Sequence, residues 1–263
     1  TYQQYFTKGM KKMSVKTVQA IVNGQTVNLS YNSSTGRYEA TITAPGKSSY
    51  SQSGHYYDVT VKATDDANNP STADASHSTL GSSLQLRVKE RVAPVLAIIY
   101  PTASALITNN KPSITWTVTD DDSGVNPSTI GVTIDSGSKI TGDSISKTAI
   151  SGGYKCTYTP DTALADGSHT IKVDASDYDG NAASQKSVTF KIDTVPPTLS
   201  ITSPADGFVT NQAACNVQGT TNDLTSSPVS VTVKLNNGNA EAATVASNGS
   251  WSKTITLVEG TNT

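Results

Sequence analysis

Apolar residues recur at every second position of this chain, and turn-forming pairs cut those runs short. Val18, Ala20 and Val22 alternate with Thr17, Gln19 and Ile21; Val27, Leu29 and Tyr31 follow the same rule, as do Tyr38, Ala40 and Ile42, then Val59 and Val61, then Leu84, Leu86 and Val88. A period of two gives a strand one buried and one solvated face, and β-branched residues suit that pleated surface. Asn23-Gly24, Asp166-Gly167, Asp179-Gly180, Asp206-Gly207, Asn237-Gly238 and Asn248-Gly249 punctuate the runs. Asn and Gly reach positive φ cheaply, as tight hairpin turns demand. No window of twelve residues keeps a helical period, so the pattern predicts an all-β chain of antiparallel sandwiches. Charged residues at 15% are too few for a coiled coil. The 19 basic residues face 21 acidic ones without a basic cluster, which argues against a nucleic-acid partner. No apolar run reaches the length of a membrane span.

Internal repeats set the organisation. Arg91-Val92-Ala93-Pro94-Val95-Leu96 matches Thr194-Val195-Pro196-Pro197-Thr198-Leu199, and each is followed by a further proline, Pro101 or Pro204, and a Thr-Asn pair. Val61-Lys62-Ala63-Thr64-Asp65 echoes Val173-Asp174-Ala175-Ser176-Asp177, 112 residues on. Gly36-Arg37-Tyr38 echoes Gly153-Tyr154-Lys155 and Gly249-Ser250-Trp251. The unit is about 100 residues, the size of a seven-stranded sandwich.

Two stretches carry a family resemblance. Asp193 to Gly207 (DTVPPTLSITSPADG) resembles the opening strand of bacterial and phage Ig-like repeats, and Gly167 to Asn181 (GSHTIKVDASDYDGN) resembles their penultimate strand and the loop after it. The resemblance covers residues 14–263. It implies tandem immunoglobulin-like antiparallel β-sandwiches arranged end to end: an extension at 1–13, module 1 at 14–92 without an evident opening pair of strands, a complete module 2 at 93–193, and module 3 at 194–263. Module 3 stops where its penultimate strand would begin, so its last strands are expected from further chain or from a neighbouring subunit. Val217 and Trp251 are expected to lack part of their cover. Pro94, Pro196 and Pro197 predict stiff, extended joints at 90–94 and 193–197.

Met13 to Gly24 (MSVKTVQAIVNG) resembles the N-termini of prophage-encoded Ig-like tail proteins. The resemblance implies a non-catalytic rod on an extracellular particle, a phage tail or tail-like particle touching the host surface. Its partners would be other subunits of that assembly and a host cell-surface glycan or protein. The alternative setting is a bacterial cell-surface adhesin, or the spacer arm of a secreted enzyme. The polar start Thr1 to Lys12 does not read as a secretory signal.

The acidic loops are the best candidate site. Asp120-Asp121-Asp122-Ser123-Gly124 should join the second and third strands of module 2, and Asp174, Asp177 and Asp179 frame the loop between its last two strands. Both loops lie at one end of such a sandwich, facing module 1 across the linker that carries Glu90. Asp120, Asp122, Asp177, Asp179 and Glu90 are the expected ligands of a Ca²⁺ ion, which takes six to eight oxygens. The competing reading is that these side chains only cap backbone N–H groups in Asx turns. No cofactor is required, and Ca²⁺ is the one candidate.

Elsewhere the chemistry is sparse. Cys156 and Cys215 fall in different modules on inward positions, which predicts free buried thiols and no disulfide. Trp116 and Trp251 are expected in cores. Tyr50, Tyr56, Tyr57 and, in the extension, Tyr2, Tyr5 and Phe6 are the aromatics available for a sugar-stacking surface. His55, His77 and His169 lie in or beside turns, and no nucleophile elbow, zinc-protease pair or phosphate loop is present, so the chain reads as non-catalytic.

Overall fold

The computed structural model describes residues 15–263, and the extension with Tyr2, Tyr5 and Phe6 lies outside them. The described residues form β-strands joined by turns and four single-turn 3₁₀ segments. Module 1 contains β1 (Val15–Val22), β2 (Gln25–Asn32), β3 (Arg37–Glu39), β4 (Tyr57–Asp65), β5 (Pro70–Ala73) and β6 (Gln85–Leu86). They make one antiparallel sheet in the order β3-β2-β1-β4-β5, with β6 on the end of β4. Asn23 and Gly24 both take positive φ, 47° and 74°, and close the β1–β2 hairpin as their residue types predict.

Module 2 contains β7 (Val95–Tyr100), β8 (Leu106–Ile107), β9 (Ile114–Thr119), β10 (Val125–Ile134), β11 (Ser146–Ile150), β12 (Gly153–Tyr158), β13 (Gly167–Asp177) and β14 (Lys186–Ile192). Two four-stranded sheets face each other, β11-β12-β9-β7 and β10-β13-β14-β8. That is the constant-type immunoglobulin arrangement, with the first strand split so that β8 crosses over and pairs parallel to β14. Alternation is carried through to packing. Trp116, Ile114, Val118, Ile171, Val173, Phe190 and Ile192 are fully buried, Tyr158 is buried, and Tyr154 packs half-buried against them.

Module 3 contains β15 (Thr198–Ser203), β16 (Ala214–Asn222), β17 (Thr232–Lys234), β18 (Ala240–Ala242), β19 (Thr244–Val245) and β20 (Ser250–Thr256). One sheet runs β15-β16-β20-β19, and β17-β18 is a separate hairpin. β17 pairs only with β18, so its other edge is open among the described residues.

Two expectations are corrected. In module 1, Val18 is buried, but Val27, Ile42, Val59 and Val61 are only half-buried and Tyr38 is exposed. No second sheet faces the first among the described residues, so alternate side chains have nothing to pack into. In module 3, Val217 and Trp251 are buried, because the β17–β18 hairpin brings Val231 and Val233 over them. The uncovered residues are instead Leu199 and Ile201, each 64% exposed. Their counterparts in module 2, Leu96 and Ile98, lie under β13 and β14 and are buried and half-buried.

Module 1 meets module 2 at the end carrying the β9–β10 and β13–β14 loops. Module 3 leaves from the opposite end, after β14, where Thr194 donates to the Asp166 carboxylate through both its N–H and its hydroxyl. The modules therefore attach end to end.

Candidate site at the joint of modules 1 and 2

The β9–β10 loop is wound around Asp120. Its Oδ1 accepts from the N–H groups of Asp122 (3.1 Å) and Gly124 (2.7 Å). The β13–β14 loop is wound the same way around Asp177, whose two oxygens accept from the backbone and side-chain nitrogens of Asn181, each at 2.7 Å. Short Asp side chains favour such loops because they satisfy N–H groups that no strand partner reaches. The Tyr178 N–H donates to the Gly124 carbonyl and ties the loops together.

Module 1 inserts between them. The Ser48 N–H donates to Asp122 Oδ1 at 2.9 Å, and the Ser48 hydroxyl donates to Asp179 Oδ2 at 2.6 Å. On the linker, the Glu90 N–H donates to that same Asp179 oxygen, and Glu90 Oε1 accepts from the Ser123 N–H at 2.6 Å. The Asn181 amide donates to the Glu90 carbonyl. Tyr50 stacks on Tyr178 with ring centroids 4.1 Å apart and planes within 9°, and His55 stacks on Tyr50 with centroids 4.0 Å apart.

The five expected ligands thus divide. Glu90, Asp120 and Asp177 each bring a carboxylate oxygen within 4.8 Å of the others. Asp122 and Asp179 do not join that group. They are acceptors for Ser48 and the linker, a role that needs module 1 in place and that charge clustering alone does not reveal. Ser48 itself carries no signal in a chain of 34 serines. Asp174 faces Lys139 in an ion pair on the sheet, away from this site. Burial pushes the Glu90 carboxyl above the usual carboxylate range; Ser123 opposes the shift, and the charges of Asp120 and Asp122 add to it.

The remaining candidates are placed elsewhere. Cys156 and Cys215 are free and buried, and burial pushes the Cys156 thiol up to about 11, which leaves it unreactive. The Tyr57 hydroxyl donates to the Lys47 carbonyl beneath the joint, and Tyr50 is engaged by Tyr178. Among the described residues, Tyr56 is the remaining sugar-stacking candidate, and it is half-buried. It lines an open cleft of about 430 Å³ with Asn23, Gln52 and Asp58. No helix among the described residues is long and apolar enough to cross a membrane.

Comparison with known proteins follows this architecture. Residues 102–194 match the model of the bacterial Ig-like domain, and residues 197–263 match that of glucodextranase, domain B. No curated protein matches the chain. Among solved structures, fibronectin(III)-like modules of Clostridium thermocellum CbhA are 20% identical, with 70% of this chain and 82% of that chain covered at a TM-score of 0.29. A tetra-tandem repeat from the extending region of a large adhesion protein is 20% identical, with 92% and 58% covered at a TM-score of 0.37. CopC from Methylosinus trichosporium OB3b is 19% identical, with 38% and 94% covered at a TM-score of 0.29. Residues 102–194 are thus similar to a bacterial Ig-like domain, set in a chain of tandem antiparallel β modules.

Proposed function

We propose that this chain is a non-catalytic structural and adhesive rod, exposed on an extracellular particle, whose modules hold a binding surface away from its base. The observation that carries this reading is the joint of modules 1 and 2. Backbone and side-chain hydrogen bonds, plus a stacked aromatic pair, fix one module on the next. A loosely tethered pair of domains needs none of these, whereas a spacer that transmits position does. The setting favoured here is a phage tail or tail-like particle that contacts the host surface, on the resemblance of residues 13–24 to prophage-encoded tail proteins.

A second reading is supported by the match of residues 197–263 to a domain named for a glucodextranase. On that reading the chain is the spacer arm of a secreted enzyme. Immunogold labelling with antibodies to module 2 separates the two. Labelled tail-like particles in the producing culture, together with saturable binding of the purified chain to intact cells, support the first. Label confined to a secreted polysaccharide hydrolase supports the second. Glycan hydrolysis by the purified chain itself overturns both.

A further inference from the structure

The loop before β4 is fixed at one end and lines a cleft at the other. Ser48 donates to Asp122 and Asp179, and Tyr50 stacks on Tyr178, so its first residues are docked on module 2. Its later residues Gln52, Ser53 and Tyr56, with Tyr57 and Asp58 of β4 and Asn23 of the β1–β2 turn, line the open cleft of about 430 Å³. That volume falls within the range of about 300–1,000 Å³ that small-molecule clefts occupy. Tyr57 is the buried member of the lining, and its hydroxyl is tied to the Lys47 carbonyl. The half-buried Tyr56 ring lies against Gly54, where an added Cβ would stand 2.6 Å from Tyr56 Cε1. Gly54 takes φ 71°, so its missing side chain serves both the turn and the seating of the ring.

The polar groups around this ring are positioned but unspent. Asp58 Oδ1 accepts from the Ala75 N–H at 2.9 Å, which orients the carboxylate and leaves Oδ2 without a partner among the described residues. The Gln52 backbone donates to the Ser49 carbonyl and accepts from the His55 N–H, while its side-chain carbonyl is free to accept. The Asn23 amide and the Ser53 and Tyr56 hydroxyls likewise have no partner among the described residues. No Lys, Arg or His lines the cleft. A carboxylate without a cation beside it repels an anionic ligand. A wholly apolar ligand would strand the carboxylate and the amides away from water. An added peptide strand finds too little edge. β4 is paired to β1 from Val59 onward and to β6 at Tyr57 and Asp58, so only those two residues keep one open side. The chemistry that remains is a neutral ligand with an apolar face and a rim of hydroxyls, which describes a pyranose sugar.

We propose that this cleft of module 1 binds a neutral saccharide, with the sugar's C–H face on the Tyr56 ring and its hydroxyls on Asp58, Asn23 and Gln52. Tyr56 supplies a rigid apolar wall with a polar tip. Asp58 Oδ2 is the strongest acceptor, because a hydrogen bond to a carboxylate is charge-assisted, and the two amides both donate and accept. The docking of Ser48 and Tyr50 on module 2 orders the loop before the sugar arrives, so less binding free energy is lost in ordering it. This deepens the reading of the chain as an adhesive rod and rests on it, since the cleft is the surface the rod would present.

The test is heteronuclear NMR titration of the whole chain with maltotriose, cellotriose, galactobiose and chitotriose, with sialyllactose and trigalacturonate as acidic controls. Each sugar is taken to about 20 mM, enough to reveal millimolar affinity. A neutral sugar is expected to shift the amides of Asn23, Ser53 and Asp58 saturably, and neither acidic control should do so. Tyr56→Ala should weaken binding about tenfold or more, and Tyr56→Phe less than about threefold, because the ring and not its hydroxyl carries the stacking. Asp58→Asn should weaken it about tenfold, through loss of the charged acceptor. Melting curves and the amide spectrum away from the cleft report whether each variant is folded; if Tyr56→Ala is not, Asp58→Asn decides. Saturable binding of none of the neutral sugars, shifts centred elsewhere on the chain, preference for an acidic control, or undiminished binding by folded Tyr56→Ala or Asp58→Asn overturns the site. Immunogold labelling does not depend on sugar. Labelled particles without sugar binding remove the cleft and leave the rod, whereas sugar binding with label confined to a secreted hydrolase keeps the cleft and removes the particle.

Discussion

At the scale of single residues, module 2 is held by Trp116 and tuned by His169. Trp116 is fully buried between the sheets, yet its indole N–H has no partner. Trp116→Ala should cost about 3–5 kcal/mol and bring module 2 near its unfolding threshold. Trp116→Phe should cost less than half as much, since it also removes an unsatisfied donor; chemical denaturation of both variants checks this. His169 bridges the Ala165 carbonyl, at 2.7 Å, and Asp135, at 2.8 Å. Burial alone would hold its imidazole down, but the Ala165 bond, the Asp135 bond and the Asp135 charge together raise its pKa above the usual 6.5. The protonated form is therefore favoured by folding. That contribution is complete below the unfolded value and is lost as pH rises through the raised folded value. His169→Gln should accordingly lower the melting temperature more at about pH 5.5 than at about pH 8.5. An equal loss at both would show that the charge of His169 is irrelevant.

At the scale of elements, the repeats share a turn that the sequence comparison misses. After β10, Asp135 takes φ 52° and the Gly137 N–H closes on the Ile134 carbonyl; after β17, Asn236 takes φ 50° and the Gly238 N–H closes on the Leu235 carbonyl. Asp135 exchanges hydrogen bonds with Thr170 at the start of β13, and Asn236 does the same with Thr263. Ile-Asp-Ser-Gly and Leu-Asn-Asn-Gly share only the glycine, so identity does not reveal them. What they share is a short polar residue that tolerates a left-handed backbone and has an oxygen to offer. Thr263 thereby lies beside the end of β17, as Thr170 lies beside β10. Asn236→Ala should free the Thr263 amide, raising its exchange rate to that of an open chain, without altering exchange in β16 or β20. Unchanged protection at Thr263 would mean that the bracket contributes nothing.

Across the whole molecule, stability should be uneven. Module 2 has a continuous core from Leu96 to Ile192, whereas module 3 buries Val217, Val231 and Trp251 and leaves Leu199 and Ile201 open. Amide exchange on the full chain should show slow, globally opening amides in β9, β12 and β13, and much faster exchange in β15 and β17. Uniform protection across the three modules would contradict that ranking. The joint is a separate matter, since its bonds order one module against another rather than filling a core. Ser48→Ala removes the hydroxyl from Asp179 and should broaden the orientation of module 1 in small-angle scattering and residual dipolar couplings. It should move the module 2 melting free energy by less than about 0.5 kcal/mol. Unchanged alignment would assign the joint to the Tyr50–Tyr178 stack instead.

Strand class and most of the module 2 core were legible from alternation, because a strand's two faces differ in every second side chain and Asn-Gly pairs mark where it turns. The two acidic loops and their shared end were also legible, since strand order in a sandwich determines which loops are neighbours. Alternation could not show whether a face has a partner. Val59 in module 1 and Leu199 in module 3 carry the same pattern as Val173 and Leu96, yet they remain half-buried or exposed for want of an opposing sheet. Nor could composition separate Asp120 and Asp177 from Asp122 and Asp179. All four are loop carboxylates, and only the approach of Ser48 and Glu90 from a distant part of the chain sorts them into a converging trio and a pair of docking acceptors. Local pattern sets which side of the backbone is apolar; long-range packing sets what stands opposite it.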